Sequence, residues 1–325
     1  MQTTLTLMGL MLGLVFLVKG SDVFVEASAG LARNFKVPQV IIGMTIMAFG
    51  TSAPELFIGV RSAIDGTAAL AMGNIVGSDI FNLIFILGFA AIVKPVAVDF
   101  TGLARDYAVA VLGPILLLLM LLHFEDVIPR IASLLFLVIF ALYEASTLRR
   151  ALGERAAQSQ LEDPQAPDDE PEDKEVHTLK RNAVVAFLGL AAVILGGELV
   201  VHYGAEIATL FGMSPRIIGL TIVAIGTSLP ELVIVLMASK RGENELAFGN
   251  IIGSSIFNVL LVLGLTGVVA PLPVEAGLAF DLLFLLGASA AFLVFVLTKK
   301  RLDRLEGLVL VLAYVSYLAL TVLRG

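Results

Sequence analysis

The chain has 325 residues, of which 58% are apolar and 15% charged, with a mean hydropathy of +0.97. A soluble chain of this length needs far more polar surface to cover its core, so the composition excludes an ordinary soluble enzyme, a disordered chain and a nucleic-acid binder. It suffices instead for about ten membrane spans of ~20 residues each. The net charge of −7 is local: residues 154–175 hold nine acids and two bases, and the remainder balances. Cysteine is absent and histidine occurs three times, which excludes disulfides and thiolate chemistry and leaves oxygen-ligated hard ions as the metals to consider.

Hydrophobic runs predict spans near 5–28, 37–62, 68–93, 104–123, 128–147, 182–210, 215–238, 245–269, 278–297 and 305–323. The first run lacks a basic leader and an Ala-x-Ala cleavage site, so it reads as a retained helix. With the N-terminus outside, sixteen basic residues fall in cytoplasmic loops, among them Lys94, Arg105, Arg150, Lys240, Arg241, Lys299 and Arg304. Only Arg61, Arg130, Arg216 and Arg324 fall outside. This asymmetry predicts external termini and a cytoplasmic acidic linker, in which Pro164, Pro167 and Pro171 oppose folding.

Residues 41–59, IIGMTIMAFGTSAPELFIG, match residues 217–235, IIGLTIVAIGTSLPELVIV, at thirteen of nineteen positions. At the same offset of 176, GNIVGSDIFNLIFILG (73–88) matches GNIIGSSIFNVLLVLG (249–264) at ten of sixteen. One offset across two blocks indicates duplication of a five-helix unit. Five is odd, so the second copy enters the membrane inverted, the architecture of secondary transporters with a midplane site. The expected fold is an all-α integral membrane protein of ten transmembrane helices in two inverted five-helix repeats. The first repeat occupies 1–150, the acidic cytoplasmic linker 151–179, and the second repeat 180–325.

The same polar set interrupts each copy. Glu55 follows Gly50-Thr51-Ser52-Ala53-Pro54, and Glu231 follows Gly226-Thr227-Ser228-Leu229-Pro230. A carboxylate mid-span costs several kcal/mol unless it meets a partner or a wet cavity. Two that approach across a symmetry axis require a divalent cation, monovalent cations or protons between them. Pro54 and Pro230 free carbonyls upstream, near Thr51 and Thr227 or a residue before, and such carbonyls with hydroxyls ligate Na⁺ and Ca²⁺. The second block adds Ser78 with Asn82, and Ser254 with Asn258, each at i and i+4 on one helix face. The all-oxygen inventory suits a dehydrated Ca²⁺ better than Mg²⁺.

GTSxPE and GNxxGSxxFN, each present twice, resemble the alpha repeats of the cation/calcium exchangers, specifically the prokaryotic sodium/calcium exchangers. The resemblance spans essentially the whole chain. It implies exchange of Ca²⁺ for Na⁺ across a prokaryotic inner membrane, with no cofactor beyond the transported ions. It implies that Glu55 and Glu231 are the central Ca²⁺ carboxylates and that Asn82 and Asn258 complete the centre. Thr51, Thr227, Ser52, Ser228, Ser78, Ser254 and the carbonyls of Ala48 and Ala224 would form Na⁺ sites. The chain departs from the family at Asn258, where some relatives carry Asp, and at Asp79, where Asn is common. Asp79 either adds a charge to an ion pathway or caps local backbone.

Plainer readings attach to other polar residues. Asn74 and Asn250 read as helix glue. Lys19, Asp22 and Glu26 read as a charge pair within one helix near the outer surface, and Glu198 and Glu206 are read likewise; His202 reads as a hydrogen-bonded interfacial residue. Three competing functions follow: Ca²⁺ exchange for H⁺ through the same carboxylates, a channel, and an intramembrane enzyme with Ser52 or Ser78 as nucleophile and His202 as base. The duplicated glutamates, against a lone histidine, weigh toward ion exchange, and the retained hydroxyls toward Na⁺.

Overall fold

The computed structural model describes residues 2–97, 100–161, 172–211, 224–274 and 277–324. The order is α1 (Gln2–Phe35), α2 (Gln39–Thr51), α3 (Ala53–Ile64), α4 (Ala68–Val93), β1 (Val96–Ala97), α5 (Phe100–His123), β2 (Val127–Ile128), α6 (Arg130–Leu161) and α7 (Glu172–Leu210). After the helical turn Ala224–Gly226 come α8 (Leu229–Arg241), α9 (Asn244–Val269), β3 (Leu272–Pro273), α10 (Leu278–Lys299), β4 (Arg301–Leu302) and α11 (Arg304–Arg324). Among the described residues, eight helices are long and apolar enough to cross a membrane, and α2 with α3, bent by 46°, makes a ninth. The expected span at 215–238 begins outside the described residues. Met8, Met11, Phe187 and Leu283 stand exposed on the helix surfaces, as suits contact with acyl chains.

Three helices outrun their apolar windows. α1 continues to Phe35, and α6 and α7 run to Leu161 and from Glu172 into the acidic linker expected at 151–179. Hydropathy marks only the lipid-immersed part of a helix. Residues 151–161 and 172–179, rich in Ala, Arg, Lys, Glu and Gln, carry good helix formers on into water. Residues 162–171 of that expected linker lie outside the described residues.

Two short antiparallel pairs tie the ends of the bundle. β1 pairs with β4, Val96 opposite Leu302, and β2 with β3, Val127 opposite Pro273. β1 precedes α5 and β4 follows α10; β2 follows α5 and β3 precedes α10. The two helices, which pack together, therefore run antiparallel. They are also counterparts at the 176-residue offset. Lys94, Lys299, Arg301 and Arg304 gather at the β1–β4 end, where the Lys94 ammonium donates to the Ser239 carbonyl at 3.2 Å. Arg130 marks the other end. A half-buried ion pair, Arg150 to the buried Asp106 at 3.0 Å, joins α6 to α5.

The broadest interface is α1 against α7. Its closest approach runs through GLVFLVKG (13–20) and GLAAVILG (189–196). Gly13 lies against Gly196 and Gly20 against Gly189, backbone to backbone, so these helices too are antiparallel. A Cβ on Gly196 would sit 2.6 Å from the Leu17 nitrogen and 2.8 Å from the Gly13 oxygen. At the 176-residue offset Gly13 corresponds to Gly189 and Gly20 to Gly196, so the seam is self-complementary.

Gly196→Ala should therefore destabilise the protein by ~1–3 kcal/mol through backbone displacement. Gly73→Ala, where a Cβ meets nothing within 4 Å, should be neutral or stabilise by up to ~1 kcal/mol through helix propensity. Thermal melting in detergent checks the pair; equal melting points would show that the seam tolerates a methyl.

Candidate functional site

The site forms where helices break. α2 ends at Thr51, Ser52 leaves the helical region at φ −83°, ψ 3°, and α3 starts with Ala53 and Pro54. A proline in the first helical turn loses nothing, because that N–H has no intrahelical acceptor. The break leaves Glu55 in the first turn of α3, where the helix dipole favours a negative charge. The second copy repeats this: Ser228 caps α8 at φ −98°, ψ 8°, and Glu231 follows Pro230 in the first turn. The Ala48 carbonyl accepts the Ser52 N–H at 2.9 Å and the Thr51 hydroxyl at 3.3 Å. Pro54 removes the donor that would have served Gly50.

Asn82 and Asn258 lie in wider π-helical turns, Phe81–Ile86 within α4 and Phe257–Leu263 within α9. Such turns frequently mark functional sites, because they aim side chains out of the regular helical rows. The π turn of α9 packs on α3, and that of α4 packs on α8. Each glutamate helix thus meets the asparagine turn of the other half.

The buried polar bonds at this centre cross between halves. The Thr51 hydroxyl lies 3.3 Å from Asn250 Oδ1 and 3.2 Å from Ser254 Oγ. Ser228 Oγ donates to Ser78 Oγ at 3.4 Å, and Asn258 Nδ2 to Asp79 Oδ1 at 3.0 Å. The two glutamates lie within electrostatic reach of each other, each 1% exposed. Both oxygens of Glu55, Glu231 Oε2, Asn82 Oδ1, Asn258 Oδ1 and Ser52 Oγ are buried without a hydrogen-bond partner. Every one is an acceptor or can act as one. Buried acceptors gathered without donors carry a desolvation cost of roughly 1–3 kcal/mol each, more when charged, and a cation relieves it. Among the described residues no three Asp, Glu, His or Cys side chains converge on one point. The arrangement is two acids with neutral oxygens around them, and a third buried acid, Asp79, bonded to Asn258.

Of the residues singled out from sequence, Glu55, Glu231, Asn82, Asn258, Thr51, Ser52, Ser228, Ser78, Ser254 and Ala48 are buried, while Thr227 is half-buried. The side chain of Ala224 is outside the described residues. Beside Thr227 and Pro230 opens a cavity of ≈ 600 Å³ whose walls include Pro54, Phe57, Glu198 and His202. It opens beside the broken helices along α7, and its walls are mostly apolar.

The model of the family described as sodium/calcium exchanger protein matches residues 5–148 and 181–323. The chain belongs to this family. It is 37% identical over 315 residues to the "putative antiporter CaxA" of Alkalimonas amylolytica, covering 94% of this chain and 95% of that one. It is 31% identical over 350 residues to the "sodium/calcium exchanger MaX1" of Methanosarcina acetivorans, covering 97% and 98%. Among solved structures it is similar to the sodium-calcium exchanger NCX_Mj soaked with 10 mM Na⁺ and zero Ca²⁺, with a TM-score of 0.81 and 29% identity over 98% of this chain and 99% of that one. One of these relatives is named as an antiporter and the other as an exchanger, and the similar structure is that of an exchanger.

Within this exchanger fold some polar residues fall otherwise than expected. Asp22 and Glu26 bond to Arg241 at 2.8 and 3.0 Å, so the pair joins α1 to the end of α8 and does not close within one helix. It lies at the Arg241 end of the bundle, in the second half of α1. Glu206 takes a bond from Thr6 of α1 at 3.0 Å and lies 3.4 Å from His202. His202 contacts Glu206 and the Tyr203 ring. Asn250 does act as helix glue, and it does so inside the site through Thr51.

A cation held here must raise stability by mass action, by about 2.7 kcal/mol at one hundred times its dissociation constant. Added CaCl₂ should accordingly raise the melting point of the wild type and have little effect on Glu55→Gln or Glu231→Gln. An equal rise in all three would place the ion elsewhere.

Proposed function

We propose that this chain is a secondary antiporter that exchanges Ca²⁺ for Na⁺ across a prokaryotic inner membrane by alternating access. The observation that carries the reading is the buried pair Glu55 and Glu231, ringed by unpartnered oxygens from both halves. One Ca²⁺ or two Na⁺ neutralise two carboxylates equally, so both loads suit the same centre. The Ca²⁺ centre comprises Glu55, Glu231, Asn82 and Asn258. Na⁺ is held around them by Thr51, Thr227, Ser52, Ser228, Ser78, Ser254 and the carbonyls of Ala48 and Ala224. The names of the relatives and of the similar structures support both ions.

Exchange follows from electrostatics. With the site empty, two bare carboxylates remain in a low-dielectric interior, a state disfavoured by several kcal/mol. The carrier reorients only when loaded, which prevents leak. Reorientation takes place between two inverted five-helix repeats, 1–150 and 180–325, joined by the acidic linker. The antiparallel offset counterparts α1 with α7 and α5 with α10 support that inversion. So does the exchange of roles between the β1–β4 and β3–β2 pairs. The gathering of Lys94, Lys299, Arg301 and Arg304 at one end supports a cytoplasmic assignment for that end and external termini. The chemistry is transport, with the ions as cargo and no covalent step.

Radioactive Ca²⁺ uptake into proteoliposomes tests this. An outward Na⁺ gradient should drive uptake, and Glu55→Gln and Glu231→Gln should reduce it to the level of protein-free vesicles while still inserting in the membrane. Uptake driven by a pH gradient alone would replace Na⁺ by H⁺ as the coupling ion. Uptake with no opposing gradient of either ion would mean a channel.

A further inference from the structure

Asp79 is 1% exposed and its Oδ1 accepts a hydrogen bond from Asn258, but its Oδ2 has no partner. It lines a small cavity between α4, α5, α9 and α10, together with Tyr107, Ala110, Pro114, Ser255 and Ser289. The cavity volume of ≈ 10 Å³ admits one particle the size of a water molecule. Its polar side chains, Asp79, Tyr107, Ser255 and Ser289, all carry oxygen. The Ser289 hydroxyl spends its hydrogen on the Leu285 carbonyl at 2.8 Å, and the Tyr107 phenol on the Ser289 carbonyl at 2.6 Å, so neither hydrogen is left for the cavity. Pro114 lies inside α5 and deprives the Ala110 carbonyl of its helical donor. Ser255 adds a hydroxyl.

The duplicated sequence is broken at these positions together. Asp79 and its own counterpart, Ser255, both line the cavity. At the positions corresponding to Tyr107 and Pro114, the second half carries Leu283 and Ala290. Acid, phenol and helix-breaking proline thus occur only in the first half, and all line one cavity. A buried carboxylate with a single hydrogen bond requires a compensating charge. One carboxylate, one small cavity and neutral oxygens match a single dehydrated monovalent cation.

We infer that the Asp79 cavity is a separate subsite for one Na⁺, built from Asp79, Ser255, Ser289, Tyr107 and the Ala110 carbonyl. It rests on the exchange reading for its role in transport: the ion held there moves with the load at Glu55 and Glu231, to which Asn258 links it.

Equilibrium binding of ²²Na⁺ to the purified full chain in Ca²⁺-free buffer tests the subsite without any transport. The wild type should bind one Na⁺ more than Asp79→Asn. Pro114→Ala keeps the acid and returns an N–H to the Ala110 carbonyl, so it should bind the same number with about tenfold weaker affinity for one of them. Equal counts in wild type and Asp79→Asn would overturn the inference, including the case in which Asp79 instead carries a proton that is released on loading. Should Asp79→Asn fail to fold, an unchanged Na⁺ affinity in Pro114→Ala would overturn it equally. A wild type that binds the extra Na⁺ yet exchanges no Ca²⁺ would remove the transport reading and leave the subsite standing.

Discussion

Like charge buried in a medium that cannot screen it is the constraint on which this molecule turns. Glu55 and Glu231 are each shut away from water and feel one another. The surrounding hydroxyls and amides do not satisfy them: neither Glu55 oxygen has a partner, and Glu231 Oε2 has none. In most interiors this would be a defect, relieved by an arginine or by protonation. Here the neighbours are Thr, Ser and Asn, which offer lone pairs but no positive charge. On the proposed exchange reading a transported cation fills this deficit, and the need to fill it couples movement to loading.

The fold supplies the conditions for that deficit. Each glutamate sits at the first turn of a helix restarted after a break, so dipole and freed backbone face the centre together. Each asparagine sits in a π turn packed on the other half's glutamate helix. The centre is therefore shared between the halves and complete in neither. The glycine seam between α1 and α7 and the two β pairs hold counterpart elements antiparallel around it, while the cavity beside Thr227 and Pro230 gives it an approach.

Much of this was legible in the sequence because chemistry and geometry there use the same letters twice. The doubled Gly-Thr-Ser-x-Pro-Glu carries both the helix break and the acid, and Asn82 and Asn258 follow from the second block. The π turns were not legible, since Phe-Asn-Leu and Phe-Asn-Val read as ordinary helix. The α1–α7 seam left only a faint signal: Gly13, Gly20, Gly189 and Gly196 share the 176-residue offset, but little between them is identical. The partner of Asp22 and Glu26 could not be read, because Arg241 is remote in sequence and is brought to them only by the packing of α8 on α1. Asp79 was visible as a departure from its counterpart Ser255, yet its meaning depended on Tyr107 and Pro114 of another helix reaching the same cavity.

The central claim is that both glutamates hold one ion between them. Anomalous diffraction from crystals soaked in Sr²⁺, a heavier stand-in for Ca²⁺, tests it most directly. The account predicts a single strong peak bonded by oxygens of both Glu55 and Glu231, which fades as Na⁺ is raised. A peak bonded by only one of them, or none between the two carboxylates, would contradict it.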